Sequence, residues 1–372
     1  MLFRSRLIKT DSETGKPIFN VEFMLFDSNG KNVGVYRTDN NGTIDFPTDI
    51  PEGRYTIRET KAAAGYTLDD IPKTVDFVSG KVTEIRWENT PHMGQIQLTK
   101  KSADDNTING FPKGTLLQGA VFEIYDRANN IVDTITTNRN GLAVSKTLPL
   151  GRYTIKEVKA PANYLLSTAI INAEIELAGQ IVRLEVLNRS VYTNVSIQKR
   201  GYAEVVPGQE IKYDIRNIAN NSNVALDSFY WRDTLPTEAV RLNKIITGTY
   251  THKLNYKIVY KTNRNDEYRT LADNISTERS RVIDASPAAL GFASNEFITE
   301  IMVVFGQVPA GFKQVEAPAV ICNVLQGLQH ELRFTNRVDA GGVWEGRWIQ
   351  SNDRWVSVVF NRTTQVLPRT GY

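Results

Sequence analysis

The 372-residue chain has a single cysteine, three histidines and no apolar run of the ~20 residues needed to cross a membrane as a helix. With Cys322 alone, no intramolecular disulfide can form, so a secreted form would need another internal staple. That cysteine sits in the apolar run Ala319-Val320-Ile321-Cys322, which reads as a buried strand, and nothing around it lowers a thiol pKa. His92, His252 and His330 lie far apart without partners at metal-ligand spacing, so neither a metal site nor a cofactor is expected. There is no Gly-rich phosphate loop, no serine elbow and no Cys-His pair, which argues against an enzyme. Charge of one sign is also missing: 44 basic and 41 acidic residues are intermixed, so no basic stripe offers itself to nucleic acid. The N-terminus has no apolar h-region behind its charges, and Met1 reads as the start of a fragment.

What is present is a folded, strand-rich chain. Hydrophobic residues make up 41% and charged residues 23%, and at roughly 100 to 200 residues per domain the length suits two to four domains. Runs such as Val21-Glu22-Phe23-Met24-Leu25-Phe26 and Val121-Phe122-Glu123-Ile124-Tyr125 alternate with period two and are punctuated by Asn-Gly turns. A turn at Ser286-Pro287-Ala288-Ala289-Leu290 is the one helical segment expected.

Residues 7–90 and 98–189 repeat the same ordered features. A short strand ends in lysine (Leu7-Ile8-Lys9, Leu98-Thr99-Lys100), and later turns read Thr38-Asp39-Asn40-Asn41-Gly42 and Thr137-Asn138-Arg139-Asn140-Gly141. The segments Gly53-Arg54-Tyr55-Thr56-Ile57-Arg58-Glu59 and Gly151-Arg152-Tyr153-Thr154-Ile155-Lys156-Glu157 follow, and each copy closes on Asn89 or Asn188. Both copies resemble the collagen-adhesin B-type, or SpaA-like, repeats of Gram-positive pilins and adhesins. The box Tyr-x-x-x-Glu followed by Ala-Pro-x-Gly-Tyr carries the resemblance, with Ala63 in place of proline in one copy and Asn163 in place of glycine in the other. Asparagine is the next best residue for positive φ. From about residue 192 a different pattern begins, and Phe229-Tyr230-Trp231-Arg232 leading into Asp233-Thr234-Leu235-Pro236 resembles the A-type collagen-adhesin module. The resemblance implies an all-β chain of three tandem immunoglobulin-like or prealbumin-like sandwiches, spanning 1–91, 92–191 and 192–364, with a tail over 365–372.

The B-type family forms an intramolecular isopeptide bond between a first-strand lysine and a last-strand asparagine, assisted by a glutamate. Carried over, these are Lys9, Glu59 and Asn89 in the first copy, and Lys100, Glu157 and Asn188 in the second. Burial supplies the chemistry by favouring a neutral amine nucleophile and a protonated acid. Any one of these residues alone would read as a surface lysine, a solvated carboxylate or a turn asparagine; the repeated order favours the bond. Lys101 adjoins Lys100, but strand alternation turns it to the opposite face. A-type modules use aspartate as the acid, which implies Lys199, Asp233 and an asparagine, with Asn336 preferred over Asn361 or Asn323. Asp233 could instead simply orient the Thr-Leu-Pro turn.

Near the C-terminus, Leu367-Pro368-Arg369-Thr370-Gly371 matches the LPxTG sorting signal of sortase substrates. The family's apolar span and basic tail do not follow, so the chain reads as trimmed there or the wall signal as incomplete. The resemblance thus implies an extracellular, wall-anchored protein of a Gram-positive bacterium, acted on by sortase and joined to peptidoglycan or to pilin subunits; the mixed charge argues against a nucleic acid partner, and no membrane span is expected within the 372 residues. No Tyr-Pro-Lys type polymerisation motif is present, which favours a minor or anchoring pilin or an adhesin stalk over a shaft pilin. The alternative is a ligand-binding adhesin whose third domain recognises a host matrix protein or glycan. Trp344, Trp348 and Trp355 could offer a platform for such a ligand, although strand packing is the commoner explanation of such a group.

Overall fold

The structure, a computed structural model, describes residues 5–361. The sorting-signal residues Leu367, Pro368, Arg369, Thr370 and Gly371, and the last few residues of the expected third domain, lie outside the described residues. The described residues contain 29 strands and no helix. At Ser286–Leu290, the expected helical turn, the Leu290 amide donates to the Ser286 carbonyl, but the chain turns again at Gly291 (φ 61°) and the helix does not propagate.

The chain divides into two compact units between Ser190 and Val191. The first unit holds two separate hydrophobic cores, one running from Leu7 to Trp87 and the other from Ile96 to Val186. Each core lies between two sheets built the same way. In the first, Asn32–Arg37, Glu22–Phe26, Gly53–Lys61 and Lys73–Phe77 form an antiparallel four-stranded sheet, and Thr43–Asp45, Arg6–Asp11 and Glu84–Asn89 form the other. The second repeats the four-stranded sheet with Ile131–Thr136, Val121–Tyr125, Gly151–Lys159 and Ile170–Ile175. Its opposing sheet centres on Met93–Ser102, which pairs with Leu142–Val144, Leu148–Pro149 and Ile181–Asn188. In both, first and last strands run parallel side by side. Strand alternation is strict: Met93–Ser102 buries every second residue, the pattern of a strand with one face on a core.

The second unit is a larger sandwich around one core that runs from Val195 to Val359. Its five-stranded sheet is ordered Val195–Arg200, Glu210–Asn220, Ala319–Val324, Val240–Ile246, Val282–Asp284. The seven-stranded sheet is ordered Glu204–Val205, Arg347–Val359, Arg333–Trp344, Leu226–Thr234, Ile298–Val308, Asn255–Thr262, Asn265–Ser276. Cys322 is buried and free in the five-stranded sheet, where burial pushes its thiol pKa up and keeps it inert.

Candidate functional site

Three lysines are completely buried, and each meets a carboxylate. In the first core, alternation along Arg6–Asp11 turns Leu7, Lys9 and Asp11 inward. The parallel register sets Asp11 level with Asn89, so Lys9 and Asn89 occupy diagonal positions on one face. Lys9 Nζ donates to Asn89 Oδ1 at 2.5 Å and contacts Glu59 Oε2 at 2.9 Å, and Asn89 Nδ2 donates to Glu59 Oε1 at 2.6 Å. Glu59 reaches in from the facing sheet, where it is the cross-strand partner of Phe23. The rings of Phe23 and Trp87 stand 5.8 and 5.7 Å from Nζ and exclude water. Burial therefore drives the Lys9 pKa below its ordinary 10.5, with Glu59 opposing the shift.

The second core repeats this geometry. Ser102 is level with Asn188, leaving Lys100 two residues back on the same face. Lys100 Nζ donates to Asn188 Oδ1 at 2.5 Å and contacts Glu157 Oε1 at 3.0 Å, while Asn188 Nδ2 donates to Glu157 Oε1 at 2.9 Å. Phe122, the cross-strand partner of Glu157, lies 5.2 Å from Nζ. The Ser167 amide donates to Glu157 Oε2 at 2.7 Å and fixes the carboxylate. Burial again lowers the lysine pKa. Lys101 points the other way and pairs with Glu185 Oε2 at 2.5 Å on the surface.

The repeated Asn-Gly turns serve these lysines directly. The amides of Lys9 and Lys100 donate to the carbonyls of Gly42 and Gly141 at 2.8 and 2.7 Å. Both glycines have positive φ, and a Cβ on either would come within 2.5 or 2.7 Å of the same lysine's carbonyl oxygen. No other residue fits there, which is why the motif ends in glycine. The departures from the Ala-Pro-x-Gly-Tyr box are also accommodated: Asn163 adopts φ 65°, close to the 87° of its counterpart Gly65.

The third cluster is built differently. Lys199 comes from the five-stranded sheet, whereas Asp233 and Asn336 come from neighbouring strands of the seven-stranded sheet. Asp233 faces Val338, so Asn336, two residues away, shares its inward face. Lys199 Nζ is ion-paired with Asp233 Oδ2, and all three residues are completely buried. Desolvation pushes Lys199 down and Asp233 up from their ordinary values. Unlike the asparagines of the first unit, Asn336 accepts no hydrogen bond from its lysine; its carboxamide lies beside Asp233 and the Tyr213 hydroxyl. The other two asparagines considered are elsewhere: Asn323 is exposed, and Asn361 Nδ2 donates to the Leu328 carbonyl. Asp233 reaches Lys199 rather than orienting the turn after it.

Two neighbours of this cluster escaped the sequence reading, Tyr213 and Ser357, both completely buried. An isolated tyrosine or serine in a strand carries no spacing signal. Of the three tryptophans, Trp344 and Trp355 pack against the core, while Trp348 is 62% exposed beside Tyr230.

Fold and site together define a chain of β-sandwich modules, each with a lysine, a carboxylate and an asparagine enclosed in its core. Residues 4–91 and 94–190 belong to the SpaA family of prealbumin-like fold domains. The trypsin-resistant surface T6 protein of Streptococcus pyogenes is 30% identical over 152 residues, covering 40% of this chain and 27% of that protein. Serine-aspartate repeat-containing protein F of Staphylococcus epidermidis is 29% identical over 180 residues, covering 42% of this chain and 10% of that protein. The chain thus matches about a quarter or less of the length of these relatives. Among solved structures, the Bacillus anthracis TIE protein is 16% identical, with a TM-score of 0.41 over 96% of this chain and 49% of that one.

Proposed function

We propose that this chain is a structural part of a Gram-positive surface protein, a minor or anchoring pilin or an adhesin stalk, stiffened by Lys–Asn isopeptide bonds. The observation that carries this reading is the same enclosed geometry at Lys9-Glu59-Asn89 and Lys100-Glu157-Asn188, two clusters assembled from residues far apart in sequence.

The reaction follows from the contacts. A proton passes from Nζ to the glutamate, leaving a neutral amine against the asparagine carboxamide. The Nζ–Cγ bond forms and the Cγ–Nδ2 bond breaks. Of the two protons that the ammonium gives up, one converts Nδ2 into ammonia and the other stays on the carboxyl or leaves with the ammonia as ammonium. Fixed contact replaces a bimolecular encounter, and such positioning is worth about 7–11 kcal/mol of barrier when alignment is good. The product also removes an ion pair from the core, where each charge costs several kcal/mol in desolvation. The reaction happens once per module, without turnover, so the chain is not an enzyme in the ordinary sense.

Bonds that join the first strand to the last carry tension through covalent links rather than through hydrogen-bonded ladders, which suits a stalk that holds something away from a cell wall. Within this reading, sortase cleaves Thr370-Gly371 and passes the Thr370 carboxyl to an amine of the wall or of another pilin subunit. Intact-mass spectrometry tests the core of the proposal. One ammonia missing for each bond, restored singly by Lys9→Ala, Lys100→Ala and Lys199→Ala, is the expected result; a mass equal to that of the unreacted sequence would overturn it.

A further inference from the structure

Asn336 differs from Asn89 and Asn188 in what polarises it. In the first unit, the asparagine oxygen accepts from the lysine and its nitrogen donates to the glutamate, so the carboxamide is held at both ends before reaction. In the second unit the lysine is engaged by Asp233 and makes no hydrogen bond to Asn336 Oδ1. Asn336 Oδ1 therefore lacks the lysine donor that polarises the other two carboxamides.

Tyr213 is built into this cluster. Lys199 is the cross-strand partner of Ile215, so Tyr213, two residues away, lies on the same face, and Lys199 Nζ stands 4.9 Å from the centre of its ring. A Cβ at Gly201 would fall 2.8 Å from Tyr213 Cδ1 and 2.9 Å from Trp355 Cδ1, so glycine there lets the phenol lie against the strand that carries Lys199. The hydroxyl faces the Asn336 carboxamide and the Ser357 hydroxyl, which itself donates to the Tyr202 carbonyl at 2.7 Å. Burial raises the phenol pKa, so the O–H stays protonated and available as a donor.

We propose that Tyr213 is a catalytic residue of the second unit, its O–H donating to the Asn336 carboxamide oxygen as negative charge develops there during attack by Lys199. This deepens the crosslinking reading and rests on it. The balance is that of the other modules: Nζ–Cγ forms, Cγ–Nδ2 breaks, and Asp233 carries a proton from Nζ to the departing ammonia. Tyr213 hydrogen-bonds to the oxyanion and keeps its own proton. Such a donor is needed here because the lysine does not reach Asn336 Oδ1 as it reaches the oxygens of Asn89 and Asn188.

The test uses the full chain made by cell-free synthesis, with the Lys199–Asn336 tryptic crosslink followed over time by mass spectrometry. Tyr213→Phe keeps the ring against Lys199 and removes only the hydroxyl. It should slow this crosslink by about 100-fold, the effect of losing one oxyanion donor, while the Lys9–Asn89 and Lys100–Asn188 crosslinks form at the wild-type rate. Thermal unfolding of Lys199→Ala with and without Tyr213→Phe measures any purely structural effect, and the two should melt together. An unchanged rate in Tyr213→Phe, or a slowing matched by loss of stability in the Lys199→Ala background, overturns the role of Tyr213 alone. Absence of the Lys199–Asn336 crosslink in the wild type overturns the crosslinking reading for this unit and the role of Tyr213 with it.

Discussion

Lys100 Nζ and Asn188 Oδ1 lie 2.5 Å apart although 88 residues separate them in sequence. The contact exists because the first and last strands of the module run parallel, with Ser102 level with Asn188 and the lysine two residues behind. Lys9 and Asn89 keep the same offset, Asp11 taking the place of Ser102. The offset sets the lysine amine against the asparagine carboxamide along the sheet, while the glutamate reaches in from the facing sheet.

The carboxylates are predicted to be indispensable to the first two bonds. Glu157→Gln preserves shape but removes both the proton carrier and the counter-charge of Lys100. The expected result is retention of the second ammonia and loss of the stability that the crosslink contributes, about 4 kcal/mol on the loop-entropy account. Intact mass and urea unfolding measure the two effects, and ammonia loss at the wild-type rate would remove Glu157 from the mechanism.

Loss of a crosslink should be expensive in stability. A covalent link closing a loop of this length restricts the unfolded chain by about 4 kcal/mol on the loop-entropy account developed for disulfides. Asn188→Ala should therefore lower the melting temperature of its module by roughly 20 °C, at several degrees per kcal/mol in a domain of about 100 residues. Calorimetry that found the module unmoved would contradict a bond at Asn188.

A pH signature should distinguish crosslinked from uncrosslinked forms of the second unit. In Asn336→Ala no amide forms, and Lys199, its pKa lowered by burial, titrates below 10.5. Between its folded value and 10.5 the unfolded chain binds the extra proton, so stability rises with pH through that window. Asp233 is raised above 3.8, and between 3.8 and its folded value the folded chain binds the extra proton, so stability falls as pH rises there. The alkaline rise should be missing from the wild type if Lys199 has been consumed as the proposed amide. Urea unfolding of both chains across pH would show it, and equal rises would count against the bond.

Lys101 offers a control of position. It pairs with Glu185 at the surface, where such pairs contribute about 0–1 kcal/mol. Lys101→Ala should leave the mass deficit intact and stability almost unchanged. Restoration of an ammonia by this variant would mean that the nucleophile had been assigned one residue out.

The sorting signal makes a separate prediction. Incubated with a purified sortase and an amine nucleophile, the chain should gain the nucleophile at Thr370, and Thr370→Ala should not. Failure of the unsubstituted chain to react would leave the crosslinked modules without a means of attachment through this motif.

Much of the site was legible before the fold was known. The repeated order of Lys9, Gly42, Glu59 and Asn89 against Lys100, Gly141, Glu157 and Asn188 marked the cores, because a local pattern that recurs points to the same constraints twice. Period-two alternation chose Lys100 over Lys101. The turn expected at Ser286–Leu290 is present as a single i+4 hydrogen bond, and it stops there because a proline after serine starts a helix and a tight turn alike. Tyr213 and Ser357 carried no local signal at all.

Sequence alone determined which residues face a core and which segments repeat, since both follow from local alternation and from glycines that no other residue can replace. The resemblance named Lys199, Asp233 and, by preference, Asn336, but only the tertiary structure showed that Lys199 meets Asp233 across two sheets and that Asn336, not Asn323 or Asn361, shares its enclosed space. It also decided that a phenol at Tyr213 closes the cluster. Pairings between strands far apart in the chain depend on how whole sheets stack, and no local pattern encodes that distance.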